Sequence, residues 1–249
     1  MSRKKGAPGR PGAHGRKVSR SAPKVKNWRH GNRLEKSEKL RDALLQAAAE
    51  VVGEVGYANA SIALITARAG VAQGTFYNYF GSRQDVLDAL LPTLGEKMLA
   101  HIRDCARNGQ GFADIESRGF RGFFSFLKKT PHFFRILNDA ESFAPRGHQQ
   151  HFENVARKYL HMFQRLKRDG EFPAYTEGEL EVIVYMLLAA RSYLALRYIY
   201  GTEQNDDLPD WVTHTYMKFI RNGLEGVPAS SQTSASRGEA DGTSVPTTA

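Results

Sequence analysis

Residues 60–80 read ASIALITARAGVAQGTFYNYF and predict two short helices that are separated by a single glycine, Gly70. Ser61 can cap the first helix, because its hydroxyl can accept a backbone N–H at the helix start. Gly70 supplies the backbone freedom that a tight turn needs. Phe76 and Phe80 lie four residues apart, so both point from the second helix toward a core. The stretch therefore has the spacing of a helix-turn-helix.

The second helix turns a small and polar face away from its two phenylalanines. The residues of this face and its flanks are Gln73, Gly74, Thr75, Tyr77, Asn78 and Tyr79. Gly74 allows a close backbone approach, the amide of Gln73 or Asn78 matches the adenine edge in a DNA major groove, and the hydroxyls can reach phosphates. We therefore predict that this helix binds double-stranded DNA. The alternative is a helical hairpin whose tyrosines only pack, and the length of the motif and its basic neighbourhood argue against it.

The positive charge of the chain is concentrated at its amino-terminal end. The 249 residues carry a formal net charge of +9, yet residues 1–33 hold eleven Lys and Arg and no acidic residue, which leaves 24 basic and 26 acidic residues elsewhere. Clustered cations favour nucleic acid because they displace its condensed counterions. The Gly, Pro and Ser content predicts a disordered basic arm over residues 1–34, which contacts DNA or, alternatively, only solubilises the chain.

Apolar residues recur at intervals of three and four between Glu35 and Leu224, which predicts an all-α fold. We expect about nine helices, near residues 36–55, 62–69, 73–79, 83–106, 112–129, 131–141, 147–169, 176–200 and 208–224. Gly56 and Gly170 are expected stops, Thr130 and Pro131 an expected start, and Thr176 with Glu179 a capping box. Residues 35–82 would form the helix-turn-helix domain and residues 83–225 a second helical domain. Residues 226–249, rich in Ser and Thr, predict a disordered tail.

Three segments, Gly70-Val71, Gly74-Thr75-Phe76-Tyr77-Asn78-Tyr79-Phe80 and Ser82-Arg83, resemble the signature of the TetR (tetracycline repressor)/AcrR family over about residues 36–91. The resemblance implies a transcriptional regulator, most often a repressor, with a carboxy-terminal domain that binds an effector and dimerises. It assigns operator contacts to Ser61, Gln73, Gly74, Thr75, Tyr77, Asn78 and Tyr79, and a phosphate contact to Arg83, where the family usually has lysine. The family often has histidine at Tyr79 and Ser or Lys at Ala72 and Gln73, so the operator sequence does not transfer.

The middle of the chain is rich in aromatic residues and methionine, which leave adaptable apolar space between helices. We predict that a small hydrophobic effector binds there, and the candidate lining residues are Phe120, Phe124, Phe134, Phe143, His151, Phe152, Tyr159 and Tyr185. His148 and His151 lie three residues apart, with His161 and Glu141 nearby in sequence. Since no third ligand is diagnostic, a surface pair is favoured over a metal site, and no metal or cofactor is predicted.

The helix over residues 176–200 is apolar around most of its circumference, which is typical of a helix buried on more than one side. With the final helix it would form a four-helix interface in a symmetric homodimer, the alternative being an intrachain core. The candidate interface residues are Val184, Leu188, Arg191, Leu194, Tyr198, Trp211, Tyr216 and Phe219. A two-fold dimer places its recognition helices about 34–36 Å apart and predicts a palindromic operator. Helix 83–106, bent at Pro92, is the expected lever by which the effector releases DNA.

The same sequence disfavours several other classes of protein. A single cysteine, Cys105, permits no intramolecular disulfide and no thiolate metal cluster, which fits a reducing cytoplasm. The longest apolar run, over residues 182–190, falls short of the ~20 residues of a membrane span, and no apolar segment follows the basic amino terminus as in a secretory signal. We thus expect a cytoplasmic, nucleoid-associated protein.

No phosphate-binding loop, nucleophile elbow or zinc-protease motif occurs, so we expect no enzyme. The rival function is a nonspecific, architectural DNA-binding protein that the basic arm drives and no effector controls. Such a protein would bind many sequences alike, and its affinity would fall steeply with salt.

Overall fold

A computed structural model describes residues 33–200 and 208–224 of the chain. The described residues form nine α-helices and no strand, which confirms the all-α fold: α1 (Arg33–Asn59), α2 (Ile62–Ala69), α3 (Gln73–Phe76), α4 (Arg83–Ala106), α5 (Gly111–Lys129), α6 (Phe133–Phe143), α7 (Pro145–Arg168), α8 (Glu177–Tyr198) and α9 (Asp210–Leu224). Of the predicted basic arm, residues 1–32 lie outside the described residues, and Arg33 already belongs to α1. The predicted tail over residues 226–249 also lies outside them.

Helices α2 and α3 form the predicted helix-turn-helix. The Ser61 hydroxyl caps α2 by accepting the backbone N–H of Leu64 at 3.2 Å, as expected. Gly70 adopts the left-handed conformation (φ 70°, ψ 37°) that makes the turn, also as expected. The predicted extent of the second helix, residues 73–79, is wrong, because α3 ends at Phe76. Beyond it the backbone bonds tighten to the i→i+3 pattern, with the Tyr79 N–H donating to the Phe76 carbonyl at 2.9 Å.

The other predicted boundaries are mostly within a few residues. Gly56 leaves helical geometry (φ 79°, ψ 165°), although α1 resumes as far as Asn59. The start expected at Thr130 is wrong: the Thr130 N–H donates to the carbonyls of Phe126 and Leu127 and thus ends α5, while α6 begins only at Phe133. The capping box of α8 is confirmed, since Thr176 and Glu179 bond each other's backbone N–H groups at 2.7 and 3.3 Å.

The core of the amino-terminal unit lies between α1, α2 and α3. Leu44, Ile65 and Phe76 are fully buried there. The start of α4 belongs to the same core, because Val86 and Leu90 near its amino terminus are also fully buried. Helix α4 then continues, through Pro92, into the second unit, where it packs against α5 and α7. One long helix therefore runs through both parts of the fold.

Proline and glycine let α4 and α7 approach closely. Pro92 has no backbone N–H, so the carbonyl of Asp88 lacks its usual partner within α4. Gly147 of α7 lies directly over that carbonyl: a Cβ at Gly147 would stand 2.2 Å from the Asp88 oxygen. The Asp88 carboxylate also accepts the Gly147 N–H at 3.2 Å and an Arg146 N–H at 3.1 Å. This junction fixes α7 against α4; the bend expected at Pro92 stays a prediction.

Candidate DNA interface and effector cavity

The predicted DNA-contacting face is exposed. Tyr77 has 57% of its surface accessible, and Gln73, Gly74 and Asn78 are exposed beside it. Thr75 and Tyr79 are half-buried on the flanks. The face is held from below by Phe76, which is fully buried and contacts both the Phe80 ring and the edge of the Tyr77 ring with centroids 5.5 Å apart. The α3 segment therefore presents amide, hydroxyl and glycine groups on a rigid aromatic base.

Two residues that the resemblance assigned to DNA have other contacts in the structure. The Ser61 hydroxyl is half-buried and accepts the capping bond of α2, although its own proton stays available. The Arg83 guanidinium donates to the backbone carbonyls of Tyr57, Ala58 and Ala60, at the carboxy-terminal end of α1. It thereby satisfies carbonyls that have no partner within the helix. No sequence pattern predicts this role, and the phosphate contact of Arg83 stays a prediction.

A cavity of about 810 Å³ lies among helices α4 to α8. Its wall is mostly apolar, with Met98, Ile102, Ile115, Phe123, Phe133, Leu137, Phe152, Val155, Met162 and Leu188 contributing side chains. Three of the predicted lining residues, His151, Phe152 and Tyr159, belong to this wall. A volume of this size is typical of pockets for small molecules.

The other five predicted lining residues do not line this cavity. Phe120 stacks on Tyr216 with ring centroids 4.0 Å apart, and Phe124 packs against Phe120 at 4.9 Å. Phe134 stacks on Tyr200 at 4.0 Å, Phe143 stacks on Tyr57 at 5.9 Å, and Tyr185 is exposed. These rings point to other faces of their helices, and an aromatic-rich composition does not tell which face meets the cavity.

A buried ionic cluster forms one part of the cavity wall. One Glu116 oxygen accepts from the Arg191 guanidinium at 2.7 Å and from the Tyr216 hydroxyl at 2.6 Å, and the other accepts from the Tyr159 hydroxyl at 2.6 Å. Glu116 and Arg191 are 1% and 4% exposed. Burial raises the pKa of both tyrosines well above the usual value, so their hydroxyls stay protonated donors. The carboxylate is therefore fully satisfied by three donors.

Sequence reasoning missed Glu116, although a signal was present. Glu116 lies on the apolar stripe of α5, four residues from both Phe112 and Phe120, which are buried. A charged residue at such a position requires a buried partner, since an isolated charge is expensive to bury. The partner, Arg191, is 75 residues away in sequence and was assigned to the dimer interface instead.

The exposed residues of the wall form the mouth of the cavity, and most of its charges are positive. Arg103, Arg107, Lys158 and Arg165 are exposed basic residues there, against the single exposed acid Asp169. Lys158 and Arg107 are paired with Glu96 and Asp104 at 2.5 and 2.6 Å, but surface pairs of this kind are weak and exchange readily. The mouth thus favours an anionic group.

His151 is buried in the cavity wall at 4% exposure, so the prediction of a surface histidine pair with His148 is wrong. The pKa of His151 is lowered to about 4, chiefly by burial and also by the neighbouring His148, while Glu96 acts in the opposite direction. The imidazole is therefore neutral at pH 7. Among the described residues, no group of three or more His, Cys, Asp or Glu is arranged to hold a metal ion.

Three of the predicted interface residues are buried inside the chain. Val184 is fully buried, Arg191 binds Glu116, and Tyr216 is 7% exposed, so these assignments to a contact with a second chain are wrong. Leu188 is half-buried and lines the cavity, and Leu194 and Tyr198 are half-buried. Trp211 and Phe219 are 58% and 76% exposed.

Both α8 and α9 expose large apolar residues. We call these residues together the α8/α9 apolar face, which consists of Val182, Tyr185, Met186, Tyr193, Leu196, Trp211 and Phe219. On α8, Tyr185 and Met186 lie three and four residues after Val182, Tyr193 lies seven after Met186, and Leu196 three after Tyr193, so these residues form a single stripe along the helix. Monomeric proteins rarely expose large contiguous apolar patches.

Helix α6 connects the cavity to the helix-turn-helix unit. Phe133 and Leu137 of α6 line the cavity. On another face of α6, the Arg135 guanidinium donates to the carbonyls of Gly53 and Glu54 in α1 at 2.8 and 3.3 Å, and the Ile136 carbonyl accepts the Tyr57 hydroxyl at 3.3 Å. Helix α6 therefore contacts both the cavity and α1.

Comparison with known proteins first identifies the helix-turn-helix segment. Residues 44–90 match the family model described as bacterial regulatory proteins, tetR family. Over 63 residues, a quarter of this chain, the sequence is 48% identical to the uncharacterized HTH-type transcriptional regulator YvdT of Bacillus subtilis, covering 30% of that protein. Over 81 residues, 31% of this chain, it is 35% identical to the fatty acid metabolism regulator protein of B. subtilis, covering 42% of that protein. The chain thus spans less than half the length of these curated relatives.

The fold extends the similarity to about three quarters of the chain. The crystal structure of the transcriptional regulator FadR from B. subtilis in complex with stearoyl-CoA superposes with a TM-score of 0.62 at 17% identity, covering 74% of this chain and 98% of that one. At this identity the match establishes a common fold. No helix in the described ranges has the length and hydropathy that crossing a lipid bilayer requires.

Proposed function

We propose that this chain, whose residues 44–90 match the tetR family of bacterial regulatory proteins, is an effector-responsive transcriptional regulator that binds a palindromic operator as a homodimer. One observation carries the proposal: α6 joins the 810 Å³ cavity to the helix-turn-helix unit, with Phe133 in the cavity wall and Arg135 on the carbonyls of α1. A domain that only binds DNA needs no such cavity.

We infer the chemical class of the effector from the cavity itself. An apolar wall with basic residues at its mouth fits an elongated apolar molecule that carries an anionic group at one end. The acyl chain and phosphates of stearoyl-CoA, the ligand of the B. subtilis FadR structure, have this combination, which supports an acyl compound here as well. Burial of the chain would supply about 0.8 kcal/mol for each methylene, and the basic mouth would favour acids over neutral analogues.

Homodimerisation is the second part of the proposal. The α8/α9 apolar face offers an apolar surface that a two-fold axis would cover, because a two-fold interface uses the same patch from both subunits. Two recognition segments would then meet successive major grooves and read a palindrome. Effector binding would favour a different position of α6. This would change the spacing of the two α3 segments, and the new spacing would no longer fit the operator. The expected outcome is repression that the effector relieves; a tenfold loss of operator affinity requires about 1.4 kcal/mol of coupling.

The experiment that tests this proposal selects bound duplexes from a random pool at fixed salt, with the full chain and with Tyr77→Ala. We expect a palindrome that is enriched by the full chain and lost with Tyr77→Ala, while Tyr77→Phe, which keeps the ring, retains most of the affinity. Long-chain acyl-CoA, added afterwards, should release the selected duplex. Recovery of a palindrome whose binding no acyl compound changes would contradict the effector class but not the DNA-binding function.

The second candidate function is nonspecific DNA binding through the basic arm, and the eleven basic residues of positions 1–33 favour it. It predicts no enriched site and a loss of all binding when residues 1–32 are deleted. A palindrome that survives this deletion would contradict it. The salt dependence separates the two further, because each phosphate contact of the arm adds about 0.9 to the slope of log K against log salt.

A further inference from the structure

The end of α1 that faces α6 consists largely of bare backbone. Gly56 interrupts the helix with φ 79° and ψ 165°, a conformation that residues with a side chain rarely adopt. A Cβ at Gly53 would stand 2.1 Å from the ring of His132, the residue just before α6, and a Cβ at Gly56 would stand 2.8 Å from the Arg135 guanidinium. The absence of both side chains therefore lets His132 and Arg135 lie close against α1.

Arg135 of α6 fastens this helix to α1 on the amino-terminal side of the interruption. Its Nη1 donates to the carbonyls of Gly53 and Glu54 at 2.8 and 3.3 Å. Its Nε lies 3.7 Å from a carboxylate oxygen of Asp139, one turn further along α6, which orients the guanidinium. Hydrogen bonds from a charged donor are stronger than those between neutral groups. Arg135 thus ties a side chain of α6 to the backbone of α1.

Tyr57 fastens the two helices together on the other side of the interruption. Its hydroxyl donates to the Ile136 carbonyl of α6 at 3.3 Å, and its ring stacks on Phe143 at the end of α6 with centroids 5.9 Å apart. Tyr57 is 1% exposed, so these contacts are shielded from water. Helix α6 therefore holds α1 both before and after Gly56.

A different face of α6 belongs to the cavity wall. Phe133 and Leu137, four residues apart, line the cavity, whereas Arg135 and the Ile136 carbonyl meet α1. Helix α6 has 11 residues, so both faces belong to one short, hydrogen-bonded cylinder. Packed helices transmit displacements because close-packed interiors are hard to compress. A molecule that moves the cavity face of α6 therefore moves its α1 face as well.

Helix α1 is joined in turn to the DNA-binding face. Leu44, Ile65 and Phe76 are fully buried in the core that α1 shares with α2 and α3. The chain also runs from Tyr57 to Ser61, the cap of α2, in four residues. Helices α1, α2 and α3 consequently move as one unit, and a force applied at the end of α1 acts on the exposed face of α3.

From these contacts we propose that Arg135 is the positioning residue through which an effector in the cavity sets the orientation of the helix-turn-helix unit. The inference rests on the proposed function, since it concerns the same cavity and the same DNA-binding face. The route runs from α6 through Arg135 to the end of α1, and it does not require the bend expected in α4 at Pro92. The effector shifts the orientation because it binds two positions of α6 with unequal affinity.

The test separates binding from coupling in the full-length protein, with palmitoyl-CoA as the probe and the palindrome recovered by selection as the operator. Titration calorimetry measures the dissociation constant of palmitoyl-CoA. Fluorescence anisotropy of the labelled operator measures its dissociation constant with and without saturating palmitoyl-CoA, and the ratio of these two values is the coupling factor. We expect a coupling factor of at least about ten in the unsubstituted protein and below about two in Arg135→Met.

The two separate affinities of Arg135→Met should stay within about threefold of those of the unsubstituted protein, because Arg135 lines neither the cavity nor the α3 face. A merely structural role would weaken binding in general and leave the coupling factor unchanged. Since the bonds of Arg135 lie at the surface, water can replace the lost donor, and the variant should fold. If Arg135→Met does not fold, Arg135→Gln, which is shorter and uncharged, takes its place.

The matched control is Arg118→Met in α5. Arg118 has 47% of its side chain accessible against 45% for Arg135, and each pairs with an aspartate four residues away on its own helix. No hydrogen bond or ion pair joins Arg118 to α1 in the described ranges, so the coupling factor should stay at the value of the unsubstituted protein. Pro92→Ala should also preserve the coupling factor, because it alters only the helix that the route does not use.

The outcomes distinguish the coupling route from the proposed function. If the coupling factor persists in the Arg135 variants, or if Pro92→Ala abolishes it while they retain it, the role of Arg135 is overturned and the effector-controlled regulator stands. If palmitoyl-CoA does not bind, or binds without changing the operator affinity of the unsubstituted protein, the proposed effector response is overturned and the role of Arg135 falls with it.

Discussion

Arg83 shows how one side chain can carry a structural role in a place where a resemblance suggests a DNA contact. Its planar guanidinium donates to three carbonyls that end α1, at Tyr57, Ala58 and Ala60. A lysine at this position could neutralise a phosphate equally well, but its single ammonium group cannot reach three carbonyls through a fixed fork. The arginine in place of the usual lysine thus has a specific consequence for stability.

We predict that Arg83→Lys lowers the free energy of unfolding by about 1–2 kcal/mol, because carbonyls at the end of α1 lose their donors. Urea unfolding of both proteins measures the difference. Lys39→Met, which removes an exposed cation from α1, should change stability by less than about 0.5 kcal/mol. Unchanged stability of Arg83→Lys would return Arg83 to a phosphate-binding role alone.

His151 gives a second effect at the scale of a residue, this time on pH dependence. Burial lowers the pKa of its imidazole to about 4, whereas an unfolded histidine titrates near 6.5. Between these two values the unfolded chain binds the additional proton, so stability is fully present above about pH 6.5 and falls as the pH is lowered toward 4. The total loss from this one group is about 3 kcal/mol.

We predict that His151→Gln flattens the decline of the unfolding free energy between pH 6.5 and 4.5. Carboxylates such as Glu179, whose pKa is lowered mainly by hydrogen bonds from Thr176, contribute at lower pH in both proteins and cancel in the comparison. Denaturant unfolding at half-unit steps of pH measures the two slopes. His161→Gln, at an exposed histidine, serves as the control. It should leave the slope of unfolding free energy against pH equal to that of the unsubstituted protein. Parallel curves for His151→Gln and the unsubstituted protein would show that His151 is not the group responsible.

At the scale of the element, the contact between α4 and α7 depends on a pair of residues that usually weaken helices. Pro92 frees the carbonyl of Asp88, and the absence of a side chain at Gly147 allows α7 to lie against it. The intrinsic preference of a helix for alanine over glycine, about 1 kcal/mol, is overridden here by tertiary contact. Local propensity alone would favour the wrong residue at position 147.

We predict that Gly147→Ala destabilises the protein by about 1–3 kcal/mol, since its Cβ would overlap the Asp88 backbone and force the helices apart. Gly178→Ala, in α8, is the matched control: nothing lies within 4 Å of a Cβ there, and we expect no loss. Thermal unfolding followed by circular dichroism compares the two. A stabilised Gly147→Ala protein would contradict the close approach of the helices.

At the scale of the whole molecule, the α8/α9 apolar face provides the proposed dimer contact. Tyr193 and Phe219 are its most exposed members, at 74% and 76%. We predict that the double variant Tyr193→Glu/Phe219→Glu is monomeric, because two carboxylates would have to be desolvated in an apolar interface, and that its dimer dissociation constant rises at least about a hundredfold. Sedimentation velocity measures the mass. Its affinity for the palindrome should fall in parallel.

The control for the dimer is Leu64→Glu. This residue is 46% exposed on α2, away from the α8/α9 apolar face, so its substitution should leave the oligomeric state unchanged. If the double variant still forms dimers, the dimer uses a different interface, and the proposed role of the α8/α9 apolar face is contradicted.

The amino-acid sequence by itself determined those features that neighbouring residues encode. The Ser61 cap, the Gly70 turn, the inward pair Phe76 and Phe80 and the capping box at Thr176 all depend on partners within about one helical turn. The apolar spacing of three and four likewise determined that the described residues form helices and no strand. The prediction that the second helix continues beyond Phe76 was wrong. The backbone there tightens to i→i+3 hydrogen bonds, and no residue pattern indicates that change.

Only the tertiary structure decided which side chains meet across the fold. The cavity contains His151, Phe152 and Tyr159 but not Phe120, Phe134 or Phe143, and the pairing of Glu116 with Arg191 joins residues 75 positions apart. Such contacts depend on the angles at which several helices pack, and these angles result from the sum of many weak interactions. Periodicity shows that a helix has a buried side, but the identity of its neighbour, whether core, cavity or second subunit, is set only when all the helices are packed together.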